Sequence, residues 1–191
     1  MSWSQEDEFR RIEEEFKGQK VLDAGCGNKK IKSAIGADKI ISPCVDVCCD
    51  LDHFPYPFKD SQFDLIVCRD VIEHLQNTIN VITEFYRIIK PGGTLALLYP
   101  HYTYSIAYAN PGHVRYFSAL TFDRFNPYFK VSRRVVSLGK GIKNWLGLSF
   151  LANKETKFYE DNLAFIFPLK NIYVELKADK QLNLPTEVQL Y

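Results

Sequence analysis

Short apolar runs that alternate with helical patterns constrain the fold of this chain more than any other feature. Five runs of five or six residues predict strands over 20–24, 36–41, 44–49, 63–68 and 94–99. Apolar residues recur at helical spacing in 4–17 and 79–90, and a further helix is predicted around 118–125. Segments 130–138 and 172–177 predict two final strands. This order favours an α/β fold around a mostly parallel sheet, with an antiparallel strand pair at its C-terminal end.

Composition and charge narrow the class of protein. Of the 191 residues, 46% are hydrophobic and 25% are charged, as in an ordinary globular protein. The net charge of +1 gives no electrostatic reason to expect nucleic acid or an anionic membrane as a partner. No apolar stretch approaches the roughly 18 residues of a membrane span, and the charged start is unlike a secretory signal. Together with five cysteines, an odd number, these features predict a cytoplasmic chain with free thiols.

A glycine turn follows the first predicted strand, where the chain reads Asp23-Ala24-Gly25-Cys26-Gly27. Glycines at such a place let the backbone turn tightly and let a ligand approach main-chain N–H groups. The third glycine of the dinucleotide fingerprint is replaced by Lys30, which counts against NAD as the ligand. The turn indicates either a binding loop or only a strand-to-helix connection.

Carboxylates follow the next two predicted strands. Asp38 stands where a side chain can accept hydrogen bonds from both hydroxyls of a ribose, and Asp50 is followed by the apolar Leu51. This pair can accept from an exocyclic amine while covering one face of a ring. A solvated loop aspartate and a turn-forming aspartate are the respective alternatives. The strand at 63–68 then delivers Arg69 and Asp70 to the same edge of the sheet.

Taken in order, these motifs resemble those of the class I S-adenosylmethionine-dependent methyltransferases. The resemblance covers about residues 20–100, half of the chain, and rests on VLDAGCG, Asp38, Asp50, FDLIVCRDVIEHL and IIKPGGTLALL. It implies a Rossmann-like, doubly wound sheet, with 20–100 as the cofactor-binding half of one methyltransferase domain spanning 1–191. The substrate side would then occupy 101–191, and the cofactor would be S-adenosyl-L-methionine.

The same resemblance implies roles for the individual residues. Asp23, Gly25 and Gly27 would line the methionine part of the cofactor, and Asp38 would hold the ribose. The adenine would meet Asp50 and Leu51, and the region of the methyl group would be closed by Arg69 and Asp70. Only 15 positions separate Asp23 from Asp38, so the first crossover helix must be short or degenerate. Asp46 lies close enough in the sequence to compete for the ribose role.

The segment 101–117, which follows the fifth predicted strand, is rich in tyrosine and holds two of the four histidines. A hydroxyl or amine acceptor must lose a proton, and His101 or His113 is the natural general base. Arg115 and Tyr104 are the predicted substrate-binding residues, since a guanidinium suits an anionic group and a tyrosine orients a ring or a polar acceptor. The alternatives are a structural histidine, an arginine paired with a local carboxylate, and aromatic packing within the loop.

Two further segments carry weaker signals. Cys44, Cys48 and Cys49 lie near acidic residues, but their spacing differs from that of paired zinc ligands, so no metal site is predicted. The insert 139–162 contains an apolar cluster, Ile142, Trp145, Leu146, Leu148, Phe150 and Leu151. It would pack on the core, cover the substrate as a lid, or form the surface of a homodimer.

The sequence therefore predicts a methyltransferase that transfers a methyl group from S-adenosylmethionine to an oxygen or nitrogen atom. The acceptor would be a small or medium-sized molecule, with no nucleic-acid or membrane partner. Two alternatives stay open at this point. One is a partner subunit that binds the cofactor without catalysis, and the other is a nucleotide-dependent oxidoreductase.

Overall fold

A seven-stranded mixed sheet forms the centre of the computed structural model, which describes residues 4–139 and 147–181. The strands are β1 (Val21–Ala24), β2 (Ile35–Asp38), β3 (Val47–Cys48), β4 (Phe63–Arg69), β5 (Ile89–Pro100), β6 (Phe129–Ser137) and β7 (Asn171–Ala178). Their order across the sheet is β3-β2-β1-β4-β5-β7-β6. The first five strands pair in parallel, and β7 runs antiparallel to both β5 and β6. This confirms the Rossmann-like, mostly parallel sheet with an antiparallel C-terminal pair.

The helices of the described residues are α1 (Gln5–Glu15), α2 (Thr78–Ile88), α3 (Ser105–Ala109), α4 (Leu148–Lys154) and α5 (Thr156–Asn162). Two 3₁₀ helices span Ile72–His74 and Thr121–Phe125. None of the helices in the described ranges has the length and apolar character that a membrane span requires.

The central strands are apolar along their whole length because both faces of the sheet are covered. On β4, Leu65 and Val67 pack with Phe9 and Ile12 of α1, whereas Ile66 and Cys68 face the larger core on the other side. The larger core also takes the apolar side of α2, which had been predicted from its helical spacing.

The strand register sets which residues lie side by side at the carboxyl edge. Ala24 of β1 pairs with Ala37 of β2 on one side and with Cys68 of β4 on the other. The residues that follow these three positions therefore emerge together: Gly25 begins the loop after β1, and Asp38 and Arg69 are the last residues of β2 and β4. Only turns connect β1 to β2 in the described chain, which agrees with the short or degenerate crossover expected from the spacing.

Several predicted elements are shorter in the structure. The strand predicted at 36–41 ends at Asp38, and the one at 44–49 is reduced to the edge pair Val47–Cys48. The helix predicted at 118–125 is the 3₁₀ helix Thr121–Phe125. Of the insert 139–162, Ile142, Trp145 and Leu146 lie outside the described residues, whereas α4 and α5 bury Ala152, Tyr159 and Glu160 against the rest of the fold.

Candidate functional site

The turn after β1 is held in a conformation that only glycine adopts easily. Gly25 has φ +76°, and its N–H donates to the carbonyl of Ala37 at 2.7 Å. A Cβ atom added at this position would lie 2.4 Å from Cγ2 of Val71, well inside contact distance. The glycine is therefore required both by its backbone angle and by the close approach of the segment that follows β4.

Asp38 fixes the second glycine of the turn. One carboxylate oxygen accepts from the N–H of Gly27 at 3.0 Å, and the other accepts from the N–H of Ile40 at 2.9 Å. Each carboxylate oxygen has two lone pairs, so both can still accept from a bound ligand. Asp38 therefore orders the turn and remains able to bind hydroxyl groups.

A cavity of about 270 Å³ opens at this edge of the sheet. It is lined by Gly25, Asp38, Lys39, Cys49, Asp50, Leu51, Val71, His74 and Leu75. Four residues predicted to bind the cofactor are thus brought into one cavity. Its polar acceptors and its apolar wall fit a nucleoside, which needs partners for its hydroxyls and base edge together with a surface for the ring.

The carboxylate of Asp50 is a hydrogen-bond acceptor in the lining of this cavity. Its carboxylate accepts from the N–H of Asp52 and contacts His53 Nδ1, both at 3.0 Å, and mainly the first of these contacts lowers the pKa of Asp50. The buried Leu51 stands beside it. The pair has the chemistry predicted for recognition of an amino-substituted ring.

The other four predicted cofactor residues, Asp23, Gly27, Arg69 and Asp70, are not among the residues that line the cavity. Asp23 is only 1% exposed, and its carboxylate accepts from the N–H of Ile31 at 2.8 Å. Burial raises the pKa of Asp23 above its usual range. Gly27 is tied to Asp38. The guanidinium of Arg69 donates to the carbonyl of Lys29 at 2.7 Å, so Asp23, Gly27 and Arg69 shape the loop that follows β1.

Asp46, the alternative candidate for binding the ribose, makes hydrogen bonds away from the cavity. Its carboxylate accepts from the N–H of Gly36 at 2.7 Å and pairs with Lys30 at 2.5 Å. It is not among the residues around the cavity. A larger groove of about 890 Å³ lies between α1 and the loop at 31–33, and none of the predicted site residues lines it.

The two candidate bases have different surroundings. His101 is 0% exposed, with Nδ1 at 2.8 Å from the hydroxyl of Thr103 and Nε2 at 2.8 Å from the carboxylate of Glu160. Neither ring nitrogen is open to an acceptor in this arrangement, which corresponds to the structural alternative for His101. His113 is 8% exposed, and its ring lies edge-on to that of His74 with centroids 4.6 Å apart.

The predicted substrate residues lie on either side of α3. Tyr104 precedes the first residue of α3, and the ammonium of Lys170 is 5.6 Å from the centre of its ring. Arg115 donates through its guanidinium to the carbonyl of Gln76. Gln76 directly follows Leu75, which lines the cavity, so Arg115 is near the rim of the cavity. Tyr104 is not among the residues that line it.

Glu73 and His74 are two residues of the motif after β4 for which the sequence pattern predicts no role. The backbone carbonyl of Glu73 accepts from the N–H groups of Val114 and Arg115, at 2.9 and 3.1 Å, which brings the loop of His113 against it. Glu73 Oε1 is 3.9 Å from His113 Nε2. The adjacent Glu73 and His74 could have been noticed in the sequence as two neighbouring polar groups. That His113 lies beside them is visible only in the folded structure.

The charges around this cluster interact. Burial raises the pKa of Glu73 to about 8, with a smaller contribution from the charge of Asp70. Asp70 ends the β4 segment with φ +52°. Although part of its side chain is exposed, loss of surrounding water raises its pKa, and Arg69, His113 and His74 act in the opposite direction. Asp70 is therefore close enough to both imidazoles for their charges to affect it.

Comparison with known proteins identifies the family. A family model described as a methyltransferase domain matches residues 5–127, well over half of the chain. The chain belongs to the class I S-adenosylmethionine-dependent methyltransferases. This confirms the family and the cofactor predicted from the motifs. It also counts against the oxidoreductase alternative.

The curated relatives are longer proteins with several different activities. A bovine protein named probable tRNA methyltransferase 9B is 30% identical over 112 residues, covering 50% of this chain and 24% of its own length. A ubiquinone biosynthesis O-methyltransferase of Pseudomonas entomophila is 25% identical over 125 residues, covering 48% of this chain and 54% of its own. The chain thus spans about a quarter to a half of the length of these relatives.

Solved structures share the fold at low sequence identity. An S-adenosylmethionine-dependent methyltransferase from Archaeoglobus fulgidus has a TM-score of 0.62 and 20% identity, covering 90% of this chain and 91% of its own. Phosphoethanolamine N-methyltransferase 2 from Haemonchus contortus, solved with S-adenosyl-L-methionine, has a TM-score of 0.57 and 16% identity. That comparison covers 91% of this chain and 53% of the other.

Proposed function

We propose that this protein transfers the methyl group of S-adenosylmethionine to an oxygen or nitrogen atom of a small or medium-sized acceptor. The observation that carries the proposal is the cavity in which the glycine turn, Asp38, Asp50 and Leu51 meet, with His74 on its wall. One side of this cavity suits a nucleoside, and the other adjoins a cluster of polar groups suited to an acceptor.

Asp38 would accept from the ribose hydroxyls, while Asp50 and Leu51 would bind the adenine. When bound, the cofactor supplies an electrophilic methyl group on a positively charged sulfur. The chain has to align the acceptor with that methyl and exclude water, and alignment of this kind can supply roughly 7–11 kcal/mol of a barrier. Val71 contributes to the alignment, because it packs against the glycine turn and borders the cavity.

At the acceptor end we place Asp70, Glu73, His74 and His113. His113 is the remaining candidate for direct contact with the acceptor, because both ring nitrogens of His101 are occupied. Arg115, near the rim, would meet an anionic group of the acceptor, and Tyr104 would contribute only if α3 moves toward the cavity.

A small molecule is the favoured acceptor class. Relatives are named for tRNA and for ubiquinone biosynthesis, so family membership leaves the class open. The net charge of +1 provides no general electrostatic attraction for a polyanion, and such attraction supplies most of the nonspecific affinity for nucleic acid. A neutral or singly charged acceptor agrees better with this balance.

Calorimetric titration with S-adenosylmethionine and S-adenosylhomocysteine tests the cofactor part of the proposal, with NAD and NADP as controls. Binding of the first pair in the micromolar range and of neither control is the expected result. NAD binding, or no adenosyl ligand bound by the folded protein, would overturn it. An acceptor screen that reads S-adenosylhomocysteine formation then separates an enzyme from a partner subunit that only binds the cofactor.

A further inference from the structure

Three side chains beside the cofactor cavity bring potential metal ligands together. One carboxylate oxygen of Glu73 and one ring nitrogen each of His74 and His113 all lie within 4.8 Å of one another. His74 also lines the cavity, so the cluster borders the space assigned to the cofactor. These groups come from two separate loops, the 3₁₀ helix after β4 and the turn after α3.

Both imidazoles are oriented by backbone carbonyls. His74 Nδ1 is 2.8 Å from the carbonyl of Gly112, and His113 Nδ1 is 3.0 Å from the carbonyl of Ala107. A carbonyl can only accept, so each Nδ1 carries a proton, and the neutral form of each ring then has a free lone pair on Nε2. Histidines that bind metals are oriented in this way by a partner on the other nitrogen.

The carboxylate of Glu73 supplies the second, independent observation. Glu73 is 1% exposed, and within the described part of the chain its Oε2 has no hydrogen-bond partner. Its Oε1 is 3.9 Å from His113 Nε2, which is too long for a hydrogen bond. A buried polar atom without a partner is costly, and buried carboxyl groups in proteins are normally hydrogen-bonded, paired or bound to a metal.

We infer that Glu73, His74 and His113 bind one divalent transition-metal ion at the acceptor end of the cavity. Two imidazoles and one carboxylate form a donor set that holds zinc or non-haem iron in other proteins, with positions left open for further ligands. A cation would also give Glu73 Oε2 the partner that this oxygen lacks within the described residues.

The geometry needs a modest contraction to become a coordination site. Ligand atoms lie about 2.0–2.2 Å from such an ion, so two tetrahedral ligands are about 3.4 Å apart. The three groups now lie within 4.8 Å of one another, so they would have to approach by up to about 1.4 Å.

The site gives the proposed function a more specific acceptor, and this role rests on that proposal. A cation with an open position polarises a bound oxygen and fixes its direction. We therefore expect an acceptor with a hydroxyl group, oriented by the ion toward the methyl group. Metal binding itself is independent of whether the chain transfers methyl groups.

The full chain, treated with a chelator and then dialysed, should be titrated with Co²⁺ and with Zn²⁺. We expect one equivalent of either ion to bind, with a visible Co²⁺ absorption band that Zn²⁺ abolishes. Glu73→Gln keeps the shape of the side chain, and His113→Asn keeps a donor near the carbonyl of Ala107 while removing Nε2. Each should weaken binding by about tenfold or more, a loss that even outer-shell changes can produce.

His53→Asn is the matched control, because it removes an exposed imidazole that is not part of the cluster. Its metal affinity should equal that of the unaltered chain, and thermal unfolding should confirm that all variants are folded. Failure of the folded chain to bind Co²⁺ or Zn²⁺, or unchanged affinity in Glu73→Gln, would refute the metal site. S-adenosylhomocysteine titration of the metal-free chain separately tests the cofactor proposal, so the two failures are distinguishable.

Discussion

Replacing Gly25 by alanine tests whether the turn after β1 is fixed by two independent constraints. The φ of +76° costs an L-residue about 1–2 kcal/mol. The added Cβ would also lie 2.4 and 2.8 Å from the two γ-carbons of Val71, and overpacking of this kind costs about 1–3 kcal/mol. The free energy of unfolding should therefore fall by about 2–5 kcal/mol.

Gly27→Ala provides the matched control. Gly27 has φ +52°, but nothing lies within 4 Å of an added Cβ, so only the backbone cost of about 1–2 kcal/mol applies. The free energy of unfolding should be measured in urea for both glycine variants, for Val71→Ala and for the double variant Gly25→Ala/Val71→Ala. Gly25→Ala, Val71→Ala and their combination form a double-mutant cycle that measures the coupling between the two positions. The Val71→Ala change should recover most of the packing cost, although its Cβ would still be 3.1 Å away. Equal destabilisation by the two glycine changes, or no coupling with Val71, would refute the packing argument.

Three more predictions concern the site and its support. Asp38→Ala should weaken S-adenosylhomocysteine binding by about 1–3 kcal/mol in calorimetry, whereas Asp46→Asn should leave it nearly unchanged. His101→Ala should lower the free energy of unfolding by about 2 kcal/mol or more while leaving cofactor affinity intact, because it leaves the buried Glu160 without one partner. Burial raises the pKa of Glu160, but its hydrogen bonds outweigh this effect and the pKa is lowered. Stability should therefore fall as the pH drops below about 4.3, and Glu160→Gln should flatten that dependence in acid unfolding curves.

The central sheet was predictable because its signals are local. Apolar runs such as the one at 63–68 end in turn residues, and burial on both faces makes them continuous rather than alternating. The strand predicted at 44–49 was too long because it lies at the sheet edge, where only Val47–Cys48 finds a partner. Propensity alone does not reveal where pairing stops.

The cavity proposed to bind the cofactor was predictable in part. Asp38 and Asp50 lie where parallel strands end, so topology brought them together as expected. Asp23 also follows this pattern, but its carboxylate is engaged by the N–H of Ile31, and no sequence signal marks that contact. A side chain at the correct edge of a sheet can therefore support the loop instead of facing the ligand.

Long-range pairs account for the remaining differences. His101 was a candidate base until the structure placed Glu160, 59 positions later, against its Nε2. Glu73 and His113 are 40 positions apart, and their proximity depends on how the loop after β5 folds back over the segment after β4. Burial and pairing of such groups are properties of the assembled fold.

The first helix supports the loop after β1 through the side chain of Arg69. The guanidinium of Arg69 lies 4.6 Å from the ring centre of Phe9 in α1 and donates to the carbonyl of Lys29 in the glycine loop. Local opening of α1 would remove the surface on which this side chain rests. We therefore expect the opening of α1 and the order of the loop to be coupled. If the loop holds the cofactor as proposed, α1 would then influence how long the cofactor stays bound.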